Sequence, residues 1–163
     1  MKKIIFLCLT IMFTSVIYSQ SVKLFSTYVK PVNGETRFAT VLTDNTIWWC
    51  DPNIATWTKV MMNNLPSGFE IKLFSAYVKP DGETRYAIVL ADNTIWWALS
   101  NDGNWNKVAN TNLPGGVSVK LFSTYVKPTG DTRFAVTMEN NSMWWTDPNV
   151  GTWTEASTKT IVK

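Results

Sequence analysis

The stretch "RYAIVLADNTIWWALSNDGNW", Arg85 to Trp105, sets two adjacent tryptophans and a third eight residues on within one short window. The same layout occurs twice more. Trp48, Trp49 and Trp57 precede it, Trp144, Trp145 and Trp153 follow it, and these nine are all the tryptophans of the 163-residue chain. Working outward, "VKLFSTYVKPVNGETRFATVLTDNTIWW" from Val22, "IKLFSAYVKPDGETRYAIVLADNTIWW" from Ile71 and "VKLFSTYVKPTGDTRFAVTMENNSMWW" from Val119 are three copies of one unit. Arg37, Arg85 and Arg133 recur at steps of 48 and 48, whereas Lys23, Lys72 and Lys120 give 49 and 48. The first copy therefore carries one extra residue, in the loop "PVNG". A period in this range marks repeat architectures, propellers among them.

Each unit reads as four short strands. "VKLFSAYV" is rich in β-branched and aromatic residues and is stopped by Pro80, which has no N–H for a ladder. Asp81 and Gly82 turn the chain into "TRYAIVLA". Asp92-Asn93 is a two-residue hairpin signal leading to "TIWWAL". "SNDG" turns again into "NWNKVA", a weaker fourth strand before "NLPGG". No segment has sustained helical periodicity, so the predicted class is all-β.

Alternation places Tyr86, Ile88 and Leu90 on one face of the second strand and Arg85, Ala87, Val89 and Ala91 on the other. Both faces are apolar apart from Arg85, as they would be in a sheet sandwiched between neighbours. Four-stranded sheets packed face to face around an axis make a β-propeller, which needs roughly four to eight blades. Three blades would close by two-fold association into six. A β-trefoil is the alternative, since three repeats of four strands close it within one chain. The face pattern favours the propeller and the repeat count favours the trefoil.

The first twenty residues, "MKKIIFLCLTIMFTSVIYSQ", read as a secretory signal: Lys2 and Lys3, then an apolar run from Ile4 to Phe13, then small polar residues. The run falls short of the roughly 20 residues that span a bilayer. The predicted organisation is a signal peptide at 1–19 and a single all-β domain at 20–163, with repeats at 22–70, 71–118 and 119–163. The protein would be secreted, extracellular or periplasmic, with no membrane insertion. The chain has 15 basic and 12 acidic residues, +3; without Lys2 and Lys3 it has 13 against 12, or +1. There is no Lys/Arg run, so a nucleic-acid partner is not indicated. Cys50 is the one thiol left after the signal, so no disulfide forms within a mature chain; it is a packing residue or an intermolecular bridge. Histidine is absent, which removes the commonest general base and zinc ligand.

An Arg before an apolar strand, a tight hairpin, a Trp-bearing strand and "NDGNW" together resemble the blades of six-bladed fucose-binding lectins. The unit is also similar to tectonin-type repeats, in which a "DNTIWW"-like strand precedes a Trp and a Pro-containing turn, here "NLP". The fucose-binding family includes assemblies of chains with fewer than six repeats, so the resemblance implies a propeller, a carbohydrate ligand and a homodimer. Its sites use an Arg, a third-strand Glu and an aromatic platform. Arg37, Arg85 and Arg133 match the Arg, but Trp48, Trp96 and Trp144 stand where the Glu would fall. The resemblance thus implies a sugar and not fucose in particular.

The residues point the same way on chemical grounds. A sugar offers a flat C–H face to an aromatic ring and edge hydroxyls to a planar Arg fork with a carboxylate. Glu35, Glu83 and Asp131 each stand two residues before an arginine, on the same face of an extended chain. Trp49, Trp97 and Trp145 share a face with Ile47, Ile95 and Met143 and are expected in the core. Trp48, Trp96 and Trp144 point the other way as site candidates, and Trp57, Trp105 and Trp153 are the expected platforms. Against this, three Arg–acid pairs at turns could be solvated ion pairs of ~0–1 kcal/mol each. Asp44, Asp92 and Glu139 are the carboxylates a glycosidase would need, but the first two belong to hairpin turns. Threefold recurrence suits several equivalent weak sites, which gain avidity on one rigid body. The expectation is a multivalent carbohydrate-binding protein with no catalytic residues, metal or cofactor. The alternative is a structural, adhesin or assembly module of the cell envelope.

Overall fold

The computed structural model describes residues 20–156; the predicted signal at 1–19 and the last seven residues lie outside them. The twelve strands form three sheets of four, each a simple antiparallel meander within one repeat. Blade 1 is β1 (Val22–Val29), β2 (Thr36–Leu42), β3 (Ile47–Cys50) and β4 (Trp57–Lys59). Blade 2 is β5 (Ile71–Val78), β6 (Thr84–Leu90), β7 (Ile95–Leu99) and β8 (Asn106–Lys107). Blade 3 is β9 (Val119–Val126), β10 (Thr132–Met138), β11 (Met143–Thr146) and β12 (Thr154–Ala156). The trefoil alternative does not occur, because every ladder stays inside its own repeat. No helix is present among the described residues.

The blades stand side by side along their first strands: β1 touches β5 and β5 touches β9. β1 and β9 do not touch, so the three blades form an open arc. Two apolar layers fill the junctions. Between blades 1 and 2 lie Tyr28, Ala39, Val41 and Ile47 against Ile71, Tyr86, Ile88 and Trp105. Between blades 2 and 3 lie Tyr77, Ala87, Val89 and Ile95 against Val119, Phe134, Val136 and Trp153. This is why the second strand is apolar on both faces: in β6, Ile88 faces one neighbour and Val89 the other, and neither has any exposed surface.

The hairpin after each second strand differs from the two-residue turn the sequence suggests. Leu90 accepts from Asn93 N–H at 2.9 Å, and only Asn93 has positive φ, at 64°. The loop is a three-residue turn ending in a left-handed Asn. That conformation has a structural use. The Asn45 side-chain oxygen accepts from Ile71 N–H at 3.0 Å, and that of Asn93 accepts from Val119 N–H at 3.0 Å. The hairpins of blades 1 and 2 therefore clip the first strand of the next blade.

Candidate functional site

The arginine column lies at the start of each blade's second strand, on the face turned toward the following blade. Arg37 stands opposite Tyr28, and Arg85 opposite both Tyr77 and Leu99. The third strand brings a tryptophan under each of the last two guanidinium groups. Arg85 lies 4.5 Å from the centre of the Trp97 ring, and Arg133 lies 5.3 Å from that of Trp145. A guanidinium on an indole keeps both planar groups in one orientation and leaves the donor edges free for in-plane bonds.

The acids divide into two groups. Glu35 pairs with Arg37, and Glu83 accepts from Arg85 Nε at 2.5 Å, as expected for positions two apart. Asp131 does not pair with Arg133; it accepts from the Thr129 hydroxyl at 3.1 Å. The carboxylate on Arg133 is Asp147, at 2.9 Å, and Asp51 holds Arg37 at 2.8 Å. Asp51 and Asp147 escape a reading of i and i+2 neighbours because they come from the end of the third strand, 14 residues further along. Their shared "DPN" was the available signal.

The tryptophans part company with the sequence reading. Trp105 and Trp153, expected as platforms, are 3% and 2% exposed. Each indole N–H donates to a backbone carbonyl of the preceding blade, Met61 at 3.3 Å and Ala109 at 3.0 Å. They are packing residues with no face left for a ligand. Trp57 has no preceding blade among the described residues and is 44% exposed. Trp48, Trp96 and Trp144 sit on the opposite face from their own blade's arginine. Their N–H groups donate to Thr46, Thr94 and Ser142 beside the hairpin at the other end of the strand. Lys59 and Lys107 lie about 6 Å over the first two of these rings. The rings that meet the arginines are Trp97 and Trp145, from the set expected in the core, and both are only partly covered.

Burial also shapes the tyrosines at these edges. Desolvation pushes the Tyr28 hydroxyl above its usual value, and that of Tyr77 up to about 12. Both are therefore hydroxyl donors at neutral pH. Beyond Arg85, an open groove of about 380 Å³ lies between the first hairpins of blades 2 and 3, lined by Lys79, Pro80, Asp81, Pro128 and Asp131. Cys50 is a buried free thiol, in keeping with a packing role. No cluster of three potential metal ligands occurs among the described residues.

No protein-family model matches the sequence, and no curated protein matches it. Among solved structures, the chain is similar to a fucose lectin from Kordia zhangzhouensis, solved in complex with methyl-fucoside. The identity is 12%, the TM-score 0.51, and the match covers 82% of this chain and 98% of that one. At this identity the likeness concerns the fold, and it fits three four-stranded blades.

Proposed function

We propose that this is a secreted, non-catalytic carbohydrate-binding protein of the lectin kind, multivalent through sites at the arginine edge of its blades. One observation carries the reading: an arginine lies against a third-strand tryptophan with a carboxylate alongside, at the same edge of blades 2 and 3. An aromatic surface and a fixed fork of donors and acceptors are what a sugar's C–H face and hydroxyls require. The likeness to a lectin solved with a methyl glycoside supports the same class of ligand. Recurrence of an arginine with a carboxylate partner in each blade speaks for repeated recognition and against a single cleft of unlike catalytic groups.

A homodimer belongs to this reading. Blade 3 exposes Leu121, Tyr125, Met143 and Trp145, and blade 1 exposes Val22, Phe25, Val29 and Trp57. The counterparts of these two sets bury against one another at the junctions inside the chain, where Tyr77 is 5% exposed and Ile71 is fully buried. Two arcs joined head to tail at both ends would make six blades with two-fold symmetry. The Arg133 edge, which has no following blade within one chain, would then face blade 1 of the second copy.

The structural or assembly module remains the second reading, favoured by Arg37, whose terminal amino groups are all engaged by Glu35, Asp51 and the Thr36 carbonyl. A glycan array probed with the full chain separates the two. Sugar binding that weakens tenfold or more in Arg85→Ala, at an unchanged melting temperature, is the expected result. Silence across the array, or an equal loss of folding in Arg85→Ala, would assign the column to structure.

A further inference from the structure

The two junctions inside the chain differ at their arginine edges. At the first, Arg37 Nη1 donates to Asp51 at 2.8 Å, Nη2 pairs with Glu35, Nε alone is unpartnered, and the Tyr28 hydroxyl lies 3.4 Å from that of Tyr86. At the second, Leu99 stands at the position of Asp51, and Phe134 at the position of Tyr86. Both replacements remove an acceptor. Arg85 bonds only to Glu83, through Nε, so Nη1 and Nη2 have no acceptor among the described residues. The Tyr77 hydroxyl, on a side chain 5% exposed, has Arg85 and Thr132 for polar neighbours but no hydrogen-bond partner within 3.5 Å. Its ring meets the edge of Phe134 at 6.0 Å, where Tyr28 meets a second hydroxyl. Tyr77 and Arg85 are direct cross-strand partners, so the unused donors lie side by side on one face.

A buried donor left unpaired costs free energy, and the Tyr77 hydroxyl is such a donor. What this edge lacks is acceptor capacity at the guanidinium's outer end, since its one carboxylate, Glu83, sits on Nε and leaves both terminal nitrogens over. The other blades show the group that fits: a carboxylate 2.8 Å from Nη1 in blade 1 and 2.9 Å from it in blade 3. We propose that the junction of blades 2 and 3 is a dedicated site for a sugar acid. Its carboxylate takes on the terminal edge of Arg85 the part that Asp51 and Asp147 take on the other arginines, with the Tyr77 hydroxyl as a further donor. An end-on fork of two charge-assisted bonds selects a carboxylate over a hydroxyl. At Arg37 and Arg133 a protein carboxylate already engages Nη1, whereas Glu83 takes only Nε of Arg85 and leaves both terminal nitrogens for a fork. The sites are thus unequal: one edge per chain keeps both terminal nitrogens for a carboxylate, and at the other two a protein carboxylate holds Nη1. This deepens the carbohydrate reading above and rests on it.

Isothermal titration calorimetry on the full chain tests it, with methyl glucuronide and methyl galacturonide against methyl glucoside and methyl galactoside. At least one acid should bind at one site per chain, tenfold or more tighter than its neutral counterpart. Leu99→Asp, which installs the residue found in blades 1 and 3, should abolish that preference without lowering the melting temperature. Arg85→Gln should abolish it as well. Equal binding of acid and neutral sugars, or an acid preference that survives Leu99→Asp, would overturn this site while leaving the carbohydrate reading standing. No binding of any of the four, together with a silent glycan array, would remove both.

Discussion

At the scale of single residues, the same side chain does different work according to what the next blade offers. Asp44 and Asp92 each accept from the backbone N–H and hydroxyl of the Thr two residues on, at 2.7–3.0 Å. In blade 3 Asn140 does this for Ser142 without a charge. Hydrogen bonds from Thr46 hold the Asp44 carboxyl below its ordinary value; at Asp92 burial opposes the shift, but the bonds from Thr94 prevail. A carboxylate whose folded pKa is depressed adds stability above its unfolded value, near 4, and loses it as pH falls through the folded one. The double variant Asp44→Asn/Asp92→Asn should therefore melt somewhat below the parent at pH 7 and lose less on acidification below about pH 4, so that the two converge. A melting series from pH 7 to pH 2 reads the difference. These turn residues were legible from sequence because the bonds are local. The Asp51 and Asp147 pairs were not, because the loop that delivers them comes from another strand.

At the scale of elements, the decisive contacts run between the outer strand of one blade and the loop before it in the next. Asn63 N–H donates to the Gly103 carbonyl at 2.9 Å, and Trp105 N–H to the Asn63 carbonyl at 3.3 Å. A Cβ on Gly103 would stand 2.4 Å from that of Met61 and 2.6 Å from its carbonyl oxygen, at a φ of +63°. Gly34, at φ +70°, has nothing within 4 Å of the same position. Gly103→Ala should therefore cost about 2–4 kcal/mol, left-handed strain plus overpacking, and Gly34→Ala about 1–2 kcal/mol from the strain alone. Denaturant titration of the pair separates a close approach between blades from backbone preference. The sequence marks both as turn glycines. Only the second blade's position against the first distinguishes them.

At the scale of the whole molecule, the open arc is the feature that asks for a partner. Trp57 is the one outer-strand tryptophan with no blade before it, and Asn141 keeps the left-handed conformation, φ 63°, of the two clipping asparagines. In the proposed ring a second copy's Val22 would take the place of Ile71 and Val119. Ala55 occupies the position of Gly103 and Gly151, where a Cβ added inside the chain meets the preceding blade at 2.4–2.6 Å. The junction between copies should therefore be the looser one. Analytical ultracentrifugation across a dilution series should give twice the chain mass at high concentration. Trp57→Ala should raise the dissociation constant tenfold or more, and Ala55→Gly should lower it. A monomer at every concentration would leave the two end faces unexplained by a second copy.

The strands, their order in threes and the arginine column were fixed by local pattern: alternation, turn residues and a repeat that fills the chain. Local rules act over two to five residues, and a meander of neighbouring strands needs nothing longer. Which carboxylate meets which arginine was decided between strands of one blade, and which tryptophans stay accessible and which edge keeps unused donors by packing between blades. There the contacting side chains lie roughly 45–60 residues apart. Trp105, Trp153 and Tyr77 have polar groups that burial forces to find a partner or go without. That outcome depends on the blade across the junction, which no reading along a single strand contains.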